Sequence, residues 1–525
     1  MSQFSEGDAA LTRLTAATDA FEKVLTEPEG KMIPMPVGQP QPSLAERLKC
    51  ALDAVTVQPA QAATQAAAAA QQASQSAAAA AQSAAEAASS AAATGYVAPP
   101  FPDVWAPLSD DLKMISGYPV NTKLLSFTRA STATYIDKSG VLQTAAINEA
   151  RFEKQGLLIE GPGTNYIAPS NNGWVGYNLA VVAGSGIAPD GTNTAIKVNI
   201  TDVTSAQKDV RLPITTLAPF IPGAYHTASV FMKAGERSLV QIVWPGGATG
   251  LSDAFANFDL TNGTVNKGAC YSASIQSLSN GWYRCTATTL IDGSMTTTAA
   301  SFSGVWVAAI DSLNNGRRPS ITGVAGEGFY VWGGQAEASP IPTSYIPTTT
   351  AAATRAADDC SAQRSGNDNY FGPVTIAAEV HCNGQTATDG ATSSRRGILA
   401  AYPTTNDNII LMVDSSSSTA GKYAFAYGSS TFNYSDNRID DGQIHTVCSR
   451  STTSQNQSCV DGTLLTSPTS VSRPTPGTTS SVNQLFYIGR GAGATASGSR
   501  MLNGHIRNLR IWHRALSDIQ IKGIR

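Results

Sequence analysis

Between residues 59 and 93 the chain is almost entirely Ala, Gln and Ser, with Glu86 as the only charge. Alanine loses least on entering a helix, so the segment predicts a helix of roughly 35 residues. A lone alanine helix buries too little to account for such a length. Ala63, Ala66, Ala70, Ala73, Ala77, Ala80, Ala84, Ala87 and Ala91 fill two heptad positions, while Gln58, Gln61, Gln65, Gln72, Gln75, Gln82 and Glu86 fall on another two. A narrow Ala seam opposite a Gln stripe predicts a slender multi-chain coiled coil over 59–95, a flexible low-complexity linker being the alternative. Gly95, then Pro99, Pro100 and Pro102, mark its end.

The residues before it read as two amphipathic helices. Leu11, Leu14, Phe21 and Leu25 form one stripe that must end before Pro28, and Pro34, Pro36, Pro40 and Pro42 prevent its continuation. Ser43 and Glu46 have the spacing of a capping box, opening a second helix with Leu44, Leu48, Leu52 and Val55 on one side. So little apolar surface cannot make a core, and residues 1–58 need copies of themselves or a docking partner.

After Phe101 the pattern changes to short β-branched and aromatic runs: Lys197 to Ile200, Ala228 to Met232, Leu239 to Trp244, Val374 to Val380 and Asn408 to Val413. Asn-Gly, Asp-Gly and Pro-Gly steps separate them, the pattern of β-sandwiches. The stretch TTTAAATRAA, 348–357, divides this region into two bodies. The expected fold is therefore mainly β: two β-sandwich domains after a helical, Ala-rich coiled-coil stalk. With 525 residues, several domains are required.

Charged residues make up 14% of the chain against 42% hydrophobic, so the surface is polar without being charged. A net charge of −3 offers no field to collect phosphates, which disfavours nucleic acid and leaves neutral or weakly acidic partners such as sugars. The N-terminus lacks the pattern of a signal peptide and no membrane-spanning run occurs, so a chain kept in the cytosol and not inserted in membranes is expected. The seven cysteines form no C-x-x-C pair and are expected to be reduced, with Cys270 and Cys285 facing across a hairpin as the alternative.

Three stretches resemble known families. Phe127 to Ser170, FTRASTATYIDKSGVLQTAAINEARFEKQGLLIEGPGTNYIAPS, is similar to a collar segment of tailed-phage fibre and tail proteins. FDLTNGTV at Phe258, LSNGWYRCTAT at Leu278, FYVWGGQAEASPIPTSYIPT at Phe329 and TRAAD at Thr354 resemble the phage head-spike or tail-fibre jelly roll, a fold like that of carbohydrate-binding modules. DGQIHTVCSR at Asp441, VDGTLL at Val460, LFYIGR at Leu485 and LNGHIRNLRIWHRALSDIQI at Leu502 resemble the concanavalin-like and laminin-G-like lectin fold. These resemblances imply an attachment region over 1–58, a stalk over 59–95, a collar over 96–170, a carbohydrate-binding-module-like sandwich over 171–350 and a lectin-like sandwich over 351–525. They also imply a homotrimeric virion fibre, assembled in the host cytoplasm, held to tail or portal-proximal proteins by its N-terminus and binding a bacterial surface polysaccharide or lipopolysaccharide. A structural spacer or head-decoration fibre is the first alternative, and a tailspike endoglycosidase the second.

No nucleophile elbow, phosphate loop or H-E-x-x-H occurs, and His226, His381, His445, His505 and His513 lack metal-ligand spacing. Gly491 to Ala496 imitates a dinucleotide loop without its strand–turn–helix context. The chain is accordingly expected not to be an enzyme and to carry no catalytic residue. Asp253, Asp259, Asp407 and Asp436 are carboxylates whose separation the sequence does not give, and calcium at Asp407 and Asp436 is the one cofactor to consider. His445 and Trp282 are expected in structural roles. Sugar recognition needs aromatic faces and fixed amide or carboxylate groups. The candidate glycan-binding set is therefore Tyr402, Asn406, Asp407, Asn408, Tyr427, Tyr434, Asp436 and Asn437 in loops of the C-terminal sandwich, with Trp244 in the middle one.

Overall fold

The computed structural model describes the chain except residues 1–2, 29, 37–38, 95–96, 117–124, 213–222, 245–253, 292–303, 365–366, 368–371, 384–394, 402–408, 415–418, 428–430, 467, 472–484 and 492–499, and except the side chains of 3–8, 56–62, 87–94 and 395. It divides into two units, Met1–Tyr96 and Val97–Arg525. Among the described residues, no helix is long and apolar enough to cross a membrane.

The first unit holds helices α1 (Gln3–Thr26) and α2 (Leu44–Thr94). Where two helices were expected on either side of Pro59, the backbone runs through it as one helix of 51 residues. Proline costs a helix one backbone bond, on the order of 3 kcal/mol, and the good helix formers on both sides outweigh that. Ser43 caps α2, its Oγ accepting from Glu46 N–H at 3.2 Å. The return half of the box is diverted: Glu46 Oε2 accepts instead from Gly30 N–H at 2.6 Å, tying the start of α2 to the segment after α1. Leu11, Leu14, Phe21, Leu25, Leu48, Leu52 and Val55 are all half or more exposed. Gly95 lies outside the described residues.

The second unit is mainly β. Its middle sandwich has two six-stranded antiparallel sheets. One runs, in spatial order, Val175–Tyr177, Asp209–Leu212, Val305–Ala309, Leu239–Val243, Phe255–Asp259 and Thr264–Asn266. The other runs Leu179–Val182, Ile196–Ile200, Gly328–Glu337, Tyr225–Ala234, Trp282–Leu290 and Ser272–Ser277. Val198, Val230, Met232, Ile242, Phe258, Val307 and Trp244 fill the space between them. The C-terminal sandwich packs a seven-stranded sheet against a ten-stranded one centred on Val374–Asn383, with Ile376, Val380, Leu411, Phe425, Ile506 and Ile511 inside.

The segment expected as a separate collar contributes strands to these sheets. Val104–Ala106 and Gly156–Ile159 both pair with the last strand, Gly504–Trp512, and Ser126–Thr128 pairs with Asp359–Gln363. The 348–357 stretch is also structured, Ala353–Arg355 pairing with Gly163–Asn165. The reason is geometric: sheet edges expose unpaired backbone groups, and the collar strands cover them.

Trp282 is a core residue as expected, and so is Trp512, their indole N–H groups donating to Ile187 O at 3.0 Å and Pro100 O at 2.7 Å. After the last strand the chain forms a short helix, Asp518–Lys522, with a complete capping box between Ser517 and Gln520. All seven cysteines are free. Cys285 stands across from Ile275 rather than Cys270, whereas Cys448 and Cys459 are direct cross-strand neighbours, both buried.

Candidate functional site

Strand Tyr225–Ala234 turns Ala228, Val230 and Met232 into the middle sandwich, so Thr227, Ser229 and Phe231 point to its other face. That outer face continues across the register through Arg284 opposite Phe231, Thr286 opposite Ser229, and Gln276 opposite Arg284. Polar residues there would ordinarily meet water. Here Ser229, Arg284, Thr286 and Gln335 are buried instead, because the collar hairpin and the segment 341–346 lie over the face.

The segment is locked by the polar residues of FYVWGGQAEASPIPTSYIPT. Glu337 accepts from the Thr343 hydroxyl at 2.6 Å, from Thr343 N–H at 2.9 Å and from the Gln335 amide at 2.7 Å, and Gln335 Oε1 accepts from Ile346 N–H at 2.6 Å. Burial of the Glu337 carboxyl pushes its pKa up, partly offset by these donors.

What remains uncovered is a cavity of about 280 Å³, walled by the middle sandwich, the collar and the C-terminal sandwich. This is near the lower end of the roughly 300–1,000 Å³ of small-molecule sites. From the C-terminal sandwich come His381 and His505, cross-strand partners with Nδ1 atoms 3.2 Å apart. Their strands approach closely beside Gly504, where a Cβ would lie 2.4 Å from His381 O. His505 Nε2 lies 3.0 Å from Glu153 Oε2, and Glu153 Oε1 accepts from Ile136 N–H at 2.7 Å. A carboxylate only accepts, so His505 Nε2 donates to it, its Nδ1 accepts, and the His381 Nδ1–H supplies that proton. Burial together with the neighbouring His505 lowers the pKa of His381 to about 4, so its imidazole is neutral near pH 7.

Arg284 forms the floor, over the Phe231 ring at 5.6 Å and 8% exposed. Its Nη2 donates to Ser229 Oγ at 3.0 Å. The mouth carries exposed Ser274, Gln276 and Asn383, with Tyr135 and Gln155 partly exposed beside them. Such a mixture of amides, hydroxyls, two carboxylates and one guanidinium matches a ligand made of donors and acceptors in a ring.

Among the described residues, none of those expected from sequence to bind glycan lines this cavity. Tyr402, Asn406, Asp407 and Asn408 lie outside the described residues. Tyr427 is corrected from a loop to the strand Lys422–Tyr427, 1% exposed in the core, and Trp244 is likewise core at 1%. Both follow the alternation that points them inward. Tyr434, Asp436 and Asn437 sit on the edge strand Asn433–Arg438 rather than in a loop, and Asp436 and Asn437 are exposed. His445, expected in a structural role, is half-buried between Asp461 at 2.6 Å and Asp441 at 2.9 Å; burial lowers its pKa, but the two carboxylates outweigh that and raise it. Among the described residues no cluster suited to a metal ion occurs. Arg284, Glu153, His381 and His505 were missed as a set. The one local signal was a cationic residue alternating with Trp282, and nothing local joined it to Glu153, His381 or His505, all distant in sequence.

Residues 355–522 match the family model described as the concanavalin A-like lectin/glucanases superfamily. Curated proteins gave no match. Among solved structures, a putative carbohydrate binding protein from Bacteroides ovatus is 12% identical, with 58% of this chain and 80% of that one covered at a TM-score of 0.23. Domain 4 of a GH43 extracellular arabinanase from Geobacillus stearothermophilus is 14% identical, covering 35% and 80% at 0.22. A Trypanosoma rangeli sialidase is 11% identical, covering 68% of this chain and 63% of its own, less than two thirds of that enzyme, at 0.22. These are distant likenesses. The expectation that the chain is not an enzyme is withdrawn beside them: two of these structures are glycoside hydrolases, at likenesses that bring neither an activity nor its absence to this chain. What this chain carries is a concanavalin-like, laminin-G-type domain at its C-terminal end, within a mainly β second unit.

Proposed function

We propose that the chain is a homotrimeric fibre of a tailed bacteriophage that attaches the virion to a bacterial surface glycan, with residues 1–58 docked on virion proteins and the junction cavity holding one sugar residue of that glycan. The observation that carries the reading is the cavity itself: a walled, polar site of saccharide-compatible size beside a lectin-type domain. The long helix α2 with exposed apolar residues at its start supports the fibre part, and the phage-like motifs support the virion part.

The full-length chain should bind host polysaccharide or lipopolysaccharide and block particle adsorption. Gln276→Ala combined with Asn383→Ala should weaken that binding by about tenfold or more at unchanged thermal stability, since both residues are exposed. Undiminished binding by the double variant would move the site elsewhere, with Asp436 and Asn437 next in line. Release of new reducing ends from the bound glycan would make the cavity hydrolytic.

A further inference from the structure

Arg284 is a buried cation whose donors are mostly unused. A guanidinium carries five N–H donors, and one bond is made, from Nη2 to Ser229 Oγ. Nε is buried without an acceptor, and none is found for Nη1 among the described residues. No carboxylate among the described residues forms a salt bridge with it, whereas Arg129, Arg151 and Arg355 each reach at least one carboxylate. Leaving a buried charge this poorly met is costly, and desolvation pulls the Arg284 pKa down in consequence.

The surrounding acids are committed elsewhere. Glu160 is bonded to Arg151 and Ser344, Glu337 to Thr343 and Gln335, and Glu153 to His505 and Ile136. They act on Arg284 through space, but none fills its fork. Arg284 itself lines the cavity.

We infer that the cavity selects a sugar acid, a saccharide whose ring carboxylate is taken by Arg284 while mouth amides such as Gln276 and Asn383 hold its hydroxyls. This rests on the reading of the cavity as a glycan site. A planar carboxylate presents two acceptors to the guanidinium plane, the geometry in which arginine recognises anions best.

The test compares methyl glycosides of glucuronate, galacturonate and N-acetylneuraminate with those of glucose and galactose, using ligand-observed NMR on the full chain. The acids should bind about tenfold tighter than the neutral sugars, and the preference should shrink as salt rises from about 20 to about 300 mM. Arg284→Gln should abolish the preference for acids over neutral sugars. Arg284→Lys, which keeps the charge without the fork, should retain only part of it. Equal affinity of wild-type protein for acidic and neutral sugars overturns the inference and leaves the glycan site standing. Binding of neither class overturns both. The wild-type comparison decides even if a variant fails to fold.

Discussion

Arg151 Nη2 donates to Asp358 Oδ2 at 2.6 Å across 207 residues of sequence, with both side chains fully buried. The pair belongs to a larger set: Arg129 donates to the other Asp358 oxygen at 3.2 Å, Arg151 Nη1 to Glu160 at 2.7 Å, and Arg355 lies 3.5 Å from Glu160. Glu160 N–H completes it by donating to Asp358 Oδ2 at 2.8 Å. Buried ions are tolerated when every charge is met in this way. Because Glu160 and Ser344 also line the cavity, the network fixes the wall against which a ligand would sit.

Removing one member should therefore be severe. Asp358→Asn leaves Arg129 and Arg151 short of their counter-charge and should cost about 3–5 kcal/mol. Urea unfolding of the full chain should show a lower midpoint for the transition of the β unit, while exposed Asp436→Asn should leave it within about 0.5 kcal/mol.

Acid should destabilise the protein in two stages. Burial lowers the pKa of His226 to about 4, and burial with His505 does the same for His381. Below about pH 6.5 the unfolded chain takes up these protons first, so stability is lost as pH falls from there towards 4. His226 alone accounts for up to roughly 3 kcal/mol. Glu160 has the second stage: the neighbouring Arg355 and Arg151 outweigh its burial and hold its pKa at about 2, so its contribution is full above about 4.5 and disappears as pH falls through 2. Urea midpoints between pH 8 and pH 3 should trace the first fall, and His226→Asn should flatten part of it.

The strands were legible because sandwiches write their alternation locally: Ile196–Ile200, Tyr225–Ala234 and Val374–Asn383 cover runs picked out by period alone. The site was not, for two physical reasons. Ser229 and Arg284 look like a solvent-facing row until a segment from elsewhere in the chain covers them, and that coverage depends on contacts such as Thr343 to Glu337. Tyr427 failed in the opposite direction: it continues the inward row of Tyr423 and Phe425, an alternation legible locally, although a loop was expected there.

Oligomerisation through the first unit should be measurable directly. Leu48 and Leu52 are each 62% exposed on α2, and exposed apolar stripes of this kind fit a second copy of the same helix. Light scattering should give three times 54.5 kDa, and Leu48→Asp with Leu52→Asp should shift the equilibrium towards monomer without altering the melting of the β unit. A clean monomer of the unaltered chain at micromolar concentration would refute the trimer.

Tyr427 and Tyr434 allow the last test, because they share a residue type and a sheet but not an environment. Tyr427 is 1% exposed among the apolar residues of the C-terminal core, so Tyr427→Ala opens a cavity and should cost about 3–5 kcal/mol. Tyr434 lies partly exposed on the edge strand, next to Phe432 with ring centroids 6.0 Å apart and packed over Ile410 and Met412. Its removal to Ala should cost less than half as much, because part of the ring already faces water. If this edge contributes to glycan binding, Tyr434→Ala and Asn437→Ala should weaken binding at temperatures where both variants are fully folded. Tyr427→Ala should weaken it only in proportion to the fraction unfolded. Binding that follows folded fraction alone in all three variants would leave the junction cavity, with Arg284 at its floor, as the site to pursue.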